Sequence, residues 1–286
     1  MSFLNGAVRI AAQNLRKWQT DYRVWIIGVL LCVMVRIFID DINKAAVFMG
    51  TKPPIWIFPF IYSQFYMKLV YTFMVVLLFC NAPFTDSNQI FVCTRTSRIQ
   101  WLFGQILYIM AASAVFYLFL FAVSILSTIF TGELSFEWGK TLKSVSGEVA
   151  AAVGANFLYV SNIIIKYFTP LQACFFTFIT SWCSAVLIGL TIFFCNLVSG
   201  TNFLGIFVSS VMVVVSAILG DYGSLLNGLL KFSPISWNTL NNIDVGGKTQ
   251  NPPFAYCMCV YAGLIAALII VILVFGRKKS LDVKGE

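Results

Sequence analysis

Residues 101–130 read WLFGQILYIMAASAVFYLFLFAVSILSTIF, thirty consecutive positions without an Asp, Glu, Lys or Arg. A helix needs about 20 apolar residues to cross the hydrocarbon layer of a bilayer, so this stretch is long enough to span it and to tilt or protrude. Five more stretches of the same kind flank it: 22–39, 57–80, 168–195, 203–220 and 255–276. The stretch 168–195 is also long, whereas 22–39 and 203–220 barely reach. The expected fold class is an all-α polytopic membrane protein with six transmembrane helices.

Composition points the same way. Of 286 residues 59% are apolar, 16% aromatic and 10% charged, against about 25% charged in a soluble domain. Mean hydropathy is +0.88. These values exclude a soluble enzyme, a disordered chain and a nucleic-acid binder, and no nucleic-acid partner is expected despite a net charge of +8. The 28 Phe, 11 Tyr and 7 Trp suit a chain solvated by lipid with aromatic belts at the interfaces. The absence of His removes Ser-His and Cys-His nucleophile pairs and His-based metal sites. Eight Cys are present, none spaced C-x-x-C, and they read as free thiols facing apolar surroundings. No secretory signal pattern is seen at the N-terminus.

Basic residues set the expected orientation. With the N-terminus inside, the inner segments carry Arg9, Arg16, Lys17, Arg23, Arg95, Arg98, Arg277, Lys278, Lys279 and Lys284 against four acids. The outer segments carry seven cations and seven acids. Both termini are therefore expected in the cytoplasm. Within residues 1–21, Leu4, Val8, Ala11, Leu15, Trp18 and Tyr22 recur at steps of four and three, opposite Asn5, Arg9, Gln13, Arg16 and Thr20. This is the pattern of a helix lying in the interface plane with its cations over lipid phosphates.

The outer loops are too apolar for linkers. In 131–167, Leu142, Val145, Val149, Val153 and Phe157 predict a helix, and Thr169-Pro170 reads as N-cap and first residue of the fourth span. In 221–254, the runs Leu225, Leu226, Leu229, Leu230, Phe232 and Ile235, Trp237, Leu240 are each too short to cross. They predict short re-entrant helices, tolerated where protein buries them.

The inner segment after span two reads NAPFTDSNQIFVCTRTSRIQW over 81–101. Pro83 ends the preceding helix, and Asp86 or Ser87 can cap a short helix over 88–94. That helix, with Ile90 and Phe91 on an apolar edge and Arg95 and Arg98 beside it, reads either as a docking element or as an ordinary turn with basic anchors. The longer run NAPFTDSNQIFVCTRTSRIQWLFGQILYI (81–109) resembles the intracellular loop of ABC transporter permeases of the type-2 transmembrane-domain class. FSPISWNTL (232–240), followed by NPPFAY (251–256), is similar to their outer re-entrant region, and the order of parts matches along the whole chain.

The resemblance implies an amphipathic elbow helix (1–21), a six-helix transmembrane domain (22–286), a cytoplasmic coupling helix and short outer helices. It implies one permease subunit of an exporter, partnered by a second permease chain and by an ATP-binding cassette subunit that carries ATP and Mg. This chain would hold no cofactor of its own and no catalytic residue. The cassette contact would fall on Arg16, Lys17, Asp86, Gln89, Phe91, Arg95 and Arg98. A phosphate-binding loop G-x-x-x-x-G-K-[ST] is missing: Gly246-Gly247-Lys248-Thr249 has Asn242 at the first glycine position. The expected location is a bacterial inner or single membrane.

Lys68 stands inside the second apolar stretch, with Gln64, Tyr62, Tyr71 and Ser63 nearby. A cation at that depth costs about 3 kcal/mol on insertion scales and normally faces a cavity or a partner. It reads as polar lining of a translocation path for an anionic or amphipathic cargo, or else as a snorkelling lysine or a pair to a carboxylate of a partner chain. Arg36 is expected to pair with Asp40 one turn on. Thr177, Ser181, Ser184, Ala185 and Gly189, like Gly205, Ser209 and Ser216, form small-residue stripes typical of close helix packing. Two other functions compete with the exporter. A secondary transporter needs carboxylates within its spans, and none of the expected spans holds one. A non-transporting immunity or scaffold protein is compatible with everything above.

Overall fold

The computed structural model of the chain describes residues 3–84, 96–130, 132, 135–145, 147–222, 228–244 and 251–278. An amphipathic helix α1 (Phe3–Arg16) and a 3-10 turn (Lys17–Gln19) precede α2 (Tyr22–Phe48), α3 (Phe65–Phe79) and α4 (Arg98–Thr128). Three short helices follow, α5 (Lys140–Ser144), α6 (Gly147–Ala152) and α7 (Asn162–Tyr167), and then the long pair α8 (Pro170–Ser199) and α9 (Asn202–Tyr222). Three 3-10 turns, Leu229–Phe232, Pro234–Asn238 and Leu240–Asn242, lead to α10 (Phe254–Lys278). The β features among the described residues are isolated bridges: one joins Asp244 to Pro253, and Pro54 is a bridge residue as well. Among the described residues, five helices (α2, α4, α8, α9 and α10) are long and apolar enough to cross a membrane. The chain is an all-α, multi-pass membrane protein.

The second expected span, 57–80, differs. Its helix covers only Phe65–Phe79, 15 residues, or about 22 Å, against the roughly 30 Å of a hydrocarbon layer. Pro53, Pro54 and Pro59 explain the late start, because proline lacks the N–H that a helix interior needs. The stretch before α3 instead packs as irregular backbone with Pro53, Pro54, Ile55 and 57–62 all buried. Phe58 meets Phe121 edge-on at 5.3 Å, and Phe60 meets Trp138 at 5.3 Å. Such backbone is stable in an apolar setting because protein covers it.

The first span is longer than 22–39. Its helix continues to Phe48 because the charges after Ile39 are satisfied at helical spacing: Arg36 pairs with Asp40 at 3.0 Å, as expected, and Lys44 with Asp41 at 3.0 Å. The start of α8 follows the sequence reading. Thr169 and Gln172 form a reciprocal capping box, with Pro170 at the first helical position. Its end is set by Gly200 in the left-handed region, φ +74°.

Helix α8 is the hub of the bundle: 72% of its apolar window is buried, against 28% for α2 and α9 and 11% for α10. Its small-residue stripe lies wholly inside. A Cβ at Gly189 would stand 2.6 Å from Cγ2 of Ile109 and 3.0 Å from Cδ2 of Phe79, so α3, α4 and α8 meet there. The outward faces of α2, α9 and α10 keep large apolar side chains exposed, among them Val29, Val33, Phe207, Val211, Ile270 and Val274. Lipid solvates such faces. The seven described cysteines are free thiols.

The connections from α2 to α3 and from α4 to α8 form a packed cap. Trp56 Nε1 donates to Ser135 O at 2.6 Å, Thr141 Oγ1 to Lys52 O at 2.6 Å, and Trp138 Nε1 to Phe168 O at 2.7 Å. The helix expected along Leu142–Phe157 is two pieces, α5 and α6: Val145 is extended, and Gly154 at φ +66° ends the second. The expected short helices before the last span are 3-10 turns. Gly228 at φ +86° and Pro234 limit each to a single turn, while Ile235, Trp237 and Leu240 fill the interior.

Candidate functional site

At one end of the bundle, α1 is wedged onto the start of α4. A Cβ at Gly104 would lie 2.7 Å from the Ile10 Cβ, and one at Gly6 would collide with the Gln100 side chain, so both glycines permit close approach. Polar contacts fix the register. Gln100 Nε2 donates to Phe3 O at 2.7 Å, Asn14 Nδ2 to Gln105 Oε1 at 3.2 Å, and Trp18 Nε1 to the Tyr108 hydroxyl at 2.8 Å.

The face α1 turns to the protein is Gly6, Ala7, Ile10, Ala11 and Asn14, which shares only Ala11 with the stripe read from the sequence. Small residues won that face because they let the two backbones meet. The larger residues of the expected stripe, Leu4 (64% exposed) and Val8 (50% exposed), face outward, and Leu15 is half-buried. Asn5, Arg9, Gln13 and Arg16 form a third, exposed polar side.

The carboxy-terminal end of α3 is held at the same end. Asn196 of α8, 3% exposed, donates through Nδ2 to Ala82 O at 2.6 Å and Cys80 O at 3.4 Å. Its Oδ1 accepts from the Gly205 N–H of α9 at 2.9 Å. One amide thus ties three helices together where the chain leaves α3. Arg23 pairs with Asp21 at 3.1 Å, and its Nη1 approaches Cys80 Sγ at 3.4 Å. Gly276 of α10 sits against Leu102 of α4, which brings Arg277 alongside.

Of the residues expected to contact an ATPase, the structure brings Arg16, Lys17 and Arg98 to this one basic end. Arg16 is exposed, and Lys17 Nζ donates to Asn14 Oδ1 at 3.2 Å. Arg98 opens α4 behind the Ser97 cap, and its Nε and Nη2 are buried without a hydrogen-bond partner among the described residues. Asp86, Gln89, Phe91 and Arg95, with the short helix expected over 88–94, lie outside the described residues.

The other candidate group lies at the opposite end. Lys68 sits in the first turn of α3 and is 4% exposed. It neither snorkels nor awaits a partner chain: its Nζ pairs with Asp221 Oδ1, at the end of α9, at 2.9 Å. The rings of Tyr62 and Tyr71 are fully buried, 5.3 Å apart, and the Tyr71 hydroxyl has no hydrogen-bond partner among the described residues. Gln64 Nε2 donates to Asn156 O at 3.3 Å and belongs to the contact between α3 and the loop. Lys68, Tyr62 and Tyr71 are therefore buried within this chain.

Three carboxylates that the expected span boundaries left outside lie within the long helices, Asp221 in α9 and Asp40 and Asp41 in α2. Asp41 is 4% exposed. Its Oδ2 accepts from the Phe157 N–H at 3.0 Å, which anchors the loop after α6. Hydroxyls fasten the 3-10 segment. Ser236 Oγ donates to Ser216 O at 2.6 Å, and Ser181 Oγ to Asn238 O at 3.3 Å. The Tyr261 hydroxyl donates to Pro234 O at 2.6 Å and meets Ser184 Oγ at 2.6 Å. Sequence reading missed Asn196 and Asp41 as anchors. Each was legible as a polar residue at the edge of an apolar run, but their partners Cys80, Ala82 and Phe157, 114 to 116 positions away, were not.

No protein-family model and no curated protein matches the chain.

Proposed function

We propose that the chain is the permease subunit of an ATP-driven exporter, working with a second permease chain and a separate ATP-binding cassette subunit that carries ATP and Mg. In this reading the basic end faces the cytoplasm, α1 is the elbow helix, and the connection between α3 and α4 docks on the cassette. The observation that carries it is the construction of that end. Two glycine contacts fix α1 on α4, and the Asn196 clamp joins α3, α8 and α9, so a push at the connection would be delivered to five helices at once. The exposed Arg16 offers a cationic docking point there, and Arg98 stands beside it at the start of α4. A peptide, drug or other amphiphile fits the aromatic, apolar outer half as cargo.

A second reading, a non-transporting immunity or scaffold protein, draws support from the closed packing around Lys68, Tyr62 and Tyr71. Affinity purification from gently solubilised native membranes separates the two. The exporter reading expects a cassette ATPase in the eluate and, after Arg16→Glu with Arg98→Glu, at least about a tenfold loss of it. Recovery unchanged by the double substitution would move the dock elsewhere.

A further inference from the structure

The ion pair between Lys68 and Asp221 is lopsided. The lysine side chain is 5% exposed and the aspartate 31%, across 2.9 Å. A partly solvated carboxylate returns to water at small cost, whereas a buried ammonium left without a counter-ion is strongly disfavoured. Were α3 and the end of α9 to part, Asp221 would be released and Lys68 would need another anion.

The surroundings are arranged to receive one. A Cβ on Gly220 would stand 3.0 Å from both Lys68 Nζ and Asn242 Nδ2, so the two donors converge on the space over that glycine. Asn242 Nδ2 gives one hydrogen to Ser236 O at 2.8 Å and keeps a second. The buried hydroxyls of Ser63 and Tyr71, three to five positions from Lys68 along the chain, have no partner among the described residues. Beside Asp221 the surface of α9 is apolar, with Ile218 43% and Tyr222 58% exposed.

We propose that Lys68 and Asn242 form a binding site for the anionic head group, carboxylate or phosphate, of a single-chain amphiphile. Asp221 is its built-in competitor, and the apolar surface of α9 receives the tail. The pair then acts as a resting-state plug that an anionic ligand displaces. This deepens the exporter reading by naming a class of cargo, and it rests on that reading only for the identity of the ligand as cargo.

The test is a titration of the purified chain in phosphatidylcholine nanodiscs with dodecyl phosphate, dodecanoate and inorganic phosphate, followed by the thermal unfolding midpoint. Both dodecyl anions are expected to bind and inorganic phosphate far more weakly. Asp221→Asn is expected to tighten dodecyl phosphate about tenfold, and Lys68→Gln to abolish its binding. Unchanged or weaker affinity in Asp221→Asn would overturn the proposal, and so would inorganic phosphate binding as tightly as the dodecyl anions. Should Asp221→Asn fail to fold, a photoactivatable dodecyl phosphate on the unaltered chain decides: crosslinks within 63–72, 216–222 or 236–242 support the site, and crosslinks confined elsewhere refute it. ATPase co-purification is read on the unaltered chain at the opposite end of the bundle, so either idea can fail without the other.

Discussion

Asn196 concentrates more structural consequence than any charged residue at the basic end. Its amide satisfies two carbonyls beyond α3 and one N–H of α9, all away from water. Truncation leaves those groups unpaired at a combined cost of roughly 2–3 kcal/mol. Asn196→Ala is expected to lower the unfolding midpoint in nanodiscs by about 5 °C, while Asn5→Ala on the exposed side of α1 leaves it in place. Equal midpoints would show that the amide does not hold the helices. The residue scale is also where the sequence told least. Lys68 announced itself by its charge amid apolar neighbours, and one physical rule, that a buried cation needs a partner, applied correctly. The partner, Asp221, lies 153 positions on, a distance that local pattern cannot bridge.

Elements were legible in proportion to the locality of their causes. The capping box at Thr169, the Arg36–Asp40 pair and the apolar length of α4 are set by near neighbours, and they appear as the sequence implies. Helix α3 falls short because three prolines and a burial pattern outweigh mean apolarity, a competition that hydropathy alone does not register. Helix α1 is divided into three faces where the sequence shows two. Its docking face is defined by Gly6 and Ile10 against Gln100 and Gly104, and glycine carries no hydropathic weight. Gly104→Val should therefore undock α1 while leaving the spans intact. Limited proteolysis of the reconstituted chain is expected to cut near residues 16–21 in that variant at least about ten times faster than in the parent, since overpacking costs about 1–3 kcal/mol. Equal rates would mean that α1 is held by something other than this contact.

For the whole molecule, the contacts place both the start of α1 and the end of α10 at the basic end, with the loop cap at the other. The described cations Arg9, Arg16, Lys17, Arg23, Arg98 and Arg277 gather with the termini, as the charge count implies. In our reading this end is cytoplasmic. In a variant without native cysteines, Gln13→Cys and Thr201→Cys should resist a membrane-impermeant maleimide in intact cells, and Phe136→Cys should react. The reverse pattern would invert the topology and remove the dock from the side where ATP is found. The architecture of spans was thus largely readable, but the seams between them were not, because seams are made by glycines and lone polar groups meeting across long stretches of chain.

The exporter reading is tested most directly by ATP hydrolysis in the affinity-purified complex, reconstituted in nanodiscs from native membranes. The expected result is vanadate-sensitive hydrolysis that follows the tagged chain and falls at least about tenfold when Asp86→Lys and Phe91→Asp are combined. No ATP-hydrolysing subunit in eluates from several detergents and from nanodiscs would contradict the claim and leave the scaffold or immunity reading in its place.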